Sequence, residues 1–101
     1  MADTLKWANP TTYIDGTTYG QANNAGYQVS LDSKTPVALP GITWGTQFDL
    51  AQLPEYVALK QGNHTIALQC VSKGGIASQL SAVLTFPREV APSAPTGLAL
   101  V

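Results

Sequence analysis

Thr65-Ile66-Ala67-Leu68-Gln69-Cys70-Val71 decides the fold. Successive side chains of an extended chain point to opposite faces, so Ile66, Leu68 and Cys70 share one face and Thr65, Ala67 and Gln69 the other. Gly62-Asn63 precedes the run, and Lys73-Gly74-Gly75 closes it as a hairpin turn. The same period of two recurs along the chain. Leu5 and Trp7 alternate with Lys6 and Ala8, and Tyr27, Val29 and Leu31 with Gln28, Ser30 and Asp32. Leu80, Ala82, Leu84 and Phe86 alternate with Ser81, Val83 and Thr85. Each run puts one apolar face on a core and a milder face outward.

Between these runs lie breakers. Asp15-Gly16 and the polar stretch from Thr17 to Gly26 read as a long loop. Pro36 and Pro40 bracket Val37-Ala38-Leu39 and reduce it to a short edge strand. Pro54 suits a first helical position and Gly62 lies beyond the end, so residues 54–60 read as one or two helical turns in a crossover. The expectation is an all-β chain: a two-sheet sandwich with a short helical turn near residues 54–60. Residues 1–88 form the sandwich, and residues 89–101, punctuated by Pro92 and Pro95, form a C-terminal tail or strand.

Composition narrows the function. A chain of 101 residues suits one domain. Only 11% of the residues are charged, against about 25% in ordinary globular proteins, so Ser, Thr, Asn, Gln and Gly supply most of the polar surface. The net charge is −1, and Lys6, Lys34, Lys60, Lys73 and Arg88 are scattered. Phosphate binding needs several cations on one face, so a nucleic-acid partner is not expected. Cys70 is the single cysteine, so no internal disulfide forms, and its place in an apolar run reads as a small buried hydrophobe. No basic segment with an apolar run follows Met1, so no secretory signal is read and synthesis in a host cytoplasm is expected. The apolar runs are too short to span a bilayer, and no membrane partner is expected.

The order of these elements resembles the fibronectin type III domains of the immunoglobulin-like class. Leu5-Lys6-Trp7-Ala8-Asn9-Pro10 is similar to the family's second strand, and Gly26-Tyr27-Gln28-Val29 to its third. Leu59 to Ile66 looks like the E–F corner, and Gly75 to Ser81 like the F–G hairpin. The resemblance covers roughly residues 3–86. Where the family carries a corner tyrosine, His64 stands nearby, and it is expected to hydrogen-bond the corner backbone. Only four residues precede Leu5, so the family's first strand is missing or truncated. Pro92-Ser93-Ala94-Pro95-Thr96-Gly97-Leu98-Ala99-Leu100 looks like that strand at the other end of the chain. Three arrangements stay open: the tail completes its own domain, adds a strand to a neighbour, or opens a further module.

No catalytic constellation is legible. His64 is the only imidazole, no Cys/His group has metal-ligand spacing, and no phosphate-binding glycine motif occurs. The expectation is a protein that is not an enzyme, with no cofactor and no metal. Tyr13 and Tyr19 lie in the Thr/Gly-rich loop, and Trp44 lies in Ile42-Thr43-Trp44-Gly45. Tyrosine among small polar residues suits a binding surface, and these three are the binding candidates. Pro95, Leu98, Leu100 and Val101 are the candidates for an assembly tail. The reading carried forward is a structural and binding module of a bacteriophage virion, a capsid decoration or tail accessory protein. Its partners would be capsid or tail proteins and copies of itself. The alternative is a carbohydrate-binding or spacer module of a secreted multi-domain bacterial enzyme or adhesin, with a glycan as partner and an extracellular location.

Overall fold

The computed structural model describes residues 3–97, 99 and 100. Leu98 and Val101, two of the tail candidates, lie outside the described residues. The strands are β1 (Thr4–Lys6), β2 (Asn24–Leu31), β3 (Val37–Ala38), β4 (Gln47–Asp49), β5 (Gly62–Ser72) and β6 (Leu84–Arg88), with one helix, α1 (Pro54–Val57). They form two antiparallel sheets, one of β1 and β4, the other ordered β3-β2-β5-β6. The chain is thus mostly β, as the alternation predicts.

The longest pairing joins β2 to β5, from Asn24 opposite Ser72 to Leu31 opposite Ile66. Both strands carry the alternation, so their apolar faces coincide. Tyr27, Val29, Leu31 and Ile66 meet Phe48 of the smaller sheet and Leu39, Leu50, Leu53 and Tyr56 from the connections in one buried cluster. Val29 is 0% and Leu53 1% exposed. Each fully buried aliphatic side chain of this kind contributes roughly 1.5–3 kcal/mol relative to exposure.

The crossover after β4 is short for local reasons. Asp49 accepts a hydrogen bond from the Ala51 amide and caps a 3₁₀ turn over Leu50–Gln52. Pro54 then opens α1, which stops after four residues. The helix serves to bury Tyr56. Its ring stacks on Phe86 with 5.8 Å between centroids, and the Arg88 guanidinium lies 5.0 Å above it. Its hydroxyl donates to Asp3 Oδ1 at 2.8 Å, tying the crossover to the entry of β1.

Two expectations need correction. The stretch from Thr17 to Gly26 is not one loop: it contains a hairpin limb and a 3₁₀ turn over Gln21–Asn23, and β2 begins inside it at Asn24. The alternating run over residues 80–86 becomes strand only from Leu84. Upstream, the Ser78 amide donates to the Cys70 carbonyl and the Ser81 amide to the Leu68 carbonyl, both at 2.8 Å. Three steps on one side therefore face two on the other, which is one residue too many for a regular ladder. The Ser78 and Ser81 hydroxyls accept the Cys70 and Leu68 amides in place of backbone carbonyls. The apolar residues of this segment are left outside the core, Leu80 at 44%, Val83 at 61% and Leu84 at 55% exposure.

Candidate functional site

Two surfaces carry exposed apolar groups on rigid supports. The first is a small hairpin at one end of the sandwich. Thr12 bridges Thr18, the Tyr13 amide donates to the Thr17 carbonyl at 2.7 Å, and the Tyr19 amide donates to the Thr11 carbonyl at 3.0 Å. Asp15 shapes the tip by accepting from both the Thr17 amide and its hydroxyl. These two hydrogen bonds, side chain first, hold the Asp15 carboxyl below its ordinary range. Gly16 takes φ +89°, a left-handed conformation that any side chain would strain. The result is a defined tip that pushes Ile14 fully into solvent, with Tyr13 at its side, 39% exposed.

The hairpin is braced from beneath. Tyr13 meets Tyr19 edge to face at 4.8 Å, and Tyr19 packs against Trp44 at 6.4 Å. Tyr19 is itself buried, so of the three aromatic candidates it supports the surface instead of presenting it. Its hydroxyl donates to Oδ1 of Asn24, which is 2% exposed. Nδ2 of Asn24 donates to the carbonyls of Thr43 and Gly26 at 2.7 and 3.3 Å. This one carboxamide therefore joins the hairpin, the start of β2 and the loop that carries Trp44. Desolvation, before any neighbouring charge, pushes the Tyr19 hydroxyl above its ordinary range.

The second surface is a groove of about 550 Å³ between β1 and the β5–β6 side, lined by Leu5, Trp7, Leu68, Cys70, Ala82 and Leu84 among others. Trp7 packs against Tyr27 at 4.9 Å, and Asn9 holds it there by accepting its indole N–H at 3.0 Å. Cys70 is half-buried, and that burial pushes its thiol upward. Of the tail candidates, Pro95 and Leu100 are exposed. Among the described residues, none of the tail lines the groove; the Val90 amide instead donates to Gln61 Oε1 at 2.8 Å.

His64 stands apart from both surfaces. Its Nε2 reaches the Lys60 carbonyl and its Nδ1 the Asp32 carboxylate, both at 2.7 Å, so it does bond the corner backbone. Both partners accept, and only the doubly protonated ring satisfies both. The bond to Asp32, then that to Lys60, holds the imidazole above its ordinary range. Asp32 also accepts the Thr65 amide at 3.0 Å, which locks the turn after β2 onto β5.

Among the described residues, no group of three or more His, Cys, Asp or Glu could hold a metal ion, and no helix is long and apolar enough to cross a membrane. Compared with known proteins, the chain matches no family model, no curated protein and no solved structure. That Ile14 rather than Tyr19 faces solvent is not legible in the sequence, because both lie in polar surroundings without a period. Asn24 was equally hidden, since a buried asparagine at the head of a strand reads as one more loop residue.

Proposed function

We propose that the chain is a non-catalytic structural module that works through protein–protein contacts, as a capsid decoration or tail accessory component of a phage virion. The observation that carries the contact role is the hairpin tip. Ile14 is 109% exposed at the end of a turn whose backbone and side-chain hydrogen bonds hold it still. A rigid apolar tip costs little conformational entropy to dock. The low charge of the surface supports packing against other neutral surfaces. The virion assignment is an analogy by fold and composition.

The fold family is part of the same proposal. An order of β3-β2-β5-β6 in one sheet and β1-β4 in the other supports a fibronectin type III or immunoglobulin-like sandwich.

The test is co-sedimentation of the purified chain with capsids and tails from its source, beside Ile14→Asp. Saturable binding by the native chain, lost in the variant, is the expected result. Absence of binding to every assembly, with binding to a glycan array instead, would replace this reading by the carbohydrate module.

A further inference from the structure

No described residue of the tail covers the groove beside β1, and the described residues from Pro92 to Leu100 are exposed. β1 pairs with β4 alone among the described strands. The Leu50 amide donates to the Asp3 carbonyl and the Trp7 amide to the Thr46 carbonyl, so odd-numbered residues of β1 bond β4. Antiparallel pairing alternates sides, so the backbone donors and acceptors of Thr4 and Lys6 face the open edge. Beneath that edge the groove presents Leu68, Cys70 and Leu84, part of an apolar face that the alternation of β5 and of residues 80–86 assigns to a core. An open strand edge above an uncovered apolar floor is what an added strand completes.

We infer that the occupant is residues 92–100 of a second copy of this chain, an inference that rests on the protein–protein reading above. From Pro92 to Leu100 the segment carries no charge, so it enters an apolar groove without a desolvated ion. Leu98 and Leu100 have one parity, Gly97 and Ala99 the other; as an antiparallel strand, one set fills the groove and the other bonds the free edge. Pro92 and Pro95 keep the lead-in extended. Nine residues span roughly 30 Å as a strand, ample for the edge from Thr4 to Asn9.

The geometry favours a neighbour over the chain's own domain. β6 ends at Arg88 opposite Gly62, whereas the groove lies beside Ile66–Cys70, back toward the start of β6. Closure within one chain would need a full reversal directly after Arg88. The tail instead runs on, and the molecule measures 73 × 22 × 19 Å. The longest strand, β5, has 11 residues and accounts for only about 36 Å of that length. The contact is head to tail and makes rings or open chains.

Two readouts on the full chain test this: solution mass by light scattering across concentration, and the rate of Cys70 alkylation at fixed pH. The comparison is the native chain with the double variant Leu98→Asp, Leu100→Asp. The expected result is a native chain that grows beyond monomer with Cys70 protected. The variant stays monomeric and is alkylated at least ~10-fold faster, as loss of two buried leucines requires. A native chain that is monomeric at every concentration overturns the inference, and one that is monomeric with Cys70 protected shows closure within one chain. Multimers that survive in the variant, or leave Cys70 as reactive as in the variant, place the contact elsewhere and also overturn it. Ile14→Asp should leave both readouts unchanged, so failure of the hairpin reading and failure of this one are separable.

Discussion

Replacing Asn24 by alanine should loosen the candidate surface without touching any residue of it. Asn24 is 2% exposed, and its carboxamide satisfies the Tyr19 hydroxyl and the Thr43 carbonyl, with a longer bond to Gly26. Asn24→Ala leaves the Tyr19 hydroxyl unpaired in a buried site and takes its side-chain donor from the carbonyl of exposed Thr43. A buried orphan costs about 1–3 kcal/mol, and the lower half of that range applies because Thr43 lies close to solvent. The unpaired hydroxyl, the lost bond to Thr43 and a small cavity give a loss of about 3 kcal/mol. For a domain of about 100 residues that lowers the melting temperature by roughly 12–20 °C. Tyr19→Phe removes one hydroxyl and should cost about 1–1.5 kcal/mol. The double variant should fall short of the sum by at least about 0.5 kcal/mol, because the two residues share a bond. Urea unfolding followed by tryptophan emission measures all three, since Trp44 packs on Tyr19. A loss below about 1 kcal/mol for Asn24→Ala, or strict additivity in the double variant, would refute the claim that this carboxamide holds the hairpin on the sandwich.

Further outcomes can be checked by the same unfolding assay. Leu53→Ala should cost about 2–5 kcal/mol, since Leu53 is 1% exposed, whereas Leu84→Ala at 55% exposure should cost under about 1 kcal/mol in the monomer. Ser33 sits at φ +61°, so Ser33→Gly should raise stability by about 0.5 kcal/mol, and a loss instead would mean that the strain is compensated. The His64–Asp32 pair should give a pH window. The raised imidazole contributes stability that is complete below 6.5 and lost as pH rises through its folded value. The lowered Asp32 carboxyl, held first by the Thr65 amide and then by His64, contributes above 3.8 and loses that as pH falls through its folded value. Stability from this corner should therefore be greatest between about 4 and 6.5, and His64→Ala should flatten the alkaline limb. An unchanged limb would mean that the ring is not charged in the native corner.

What was legible in the sequence followed from periodicity and proline. Val29 and Ile66 announce themselves because burial on one face repeats every second residue, and Pro54 marks the first turn of α1 because it has no amide to lose there. What was not legible depended on contacts far apart in the chain. The run from Leu80 to Phe86 alternates perfectly, yet it joins the ladder only from Leu84, because the Ser78 and Ser81 hydroxyls compete with carbonyls for the amides of β5. Tyr19 and Tyr13 are equivalent as local sequence, and what distinguishes the buried one is its packing on Trp44 from a distant loop together with its bond to Asn24. His64 shows its corner role by position, but Asp32 as its partner emerges only once β2 and β5 are paired.

The placement of proline in the larger sheet governs how copies can meet. One outer strand, β3, is two residues long and follows Pro36; the other, β6, contains Pro87 opposite Asn63. Each proline removes a donor where a neighbouring ribbon would seek one. Lateral accretion of sheets, the usual route from a neutral β-rich surface to fibrils, is thereby discouraged at both flanks. In a protein with so few charges to keep its copies apart, backbone pairing between copies is steered away from the larger sheet and toward the small one.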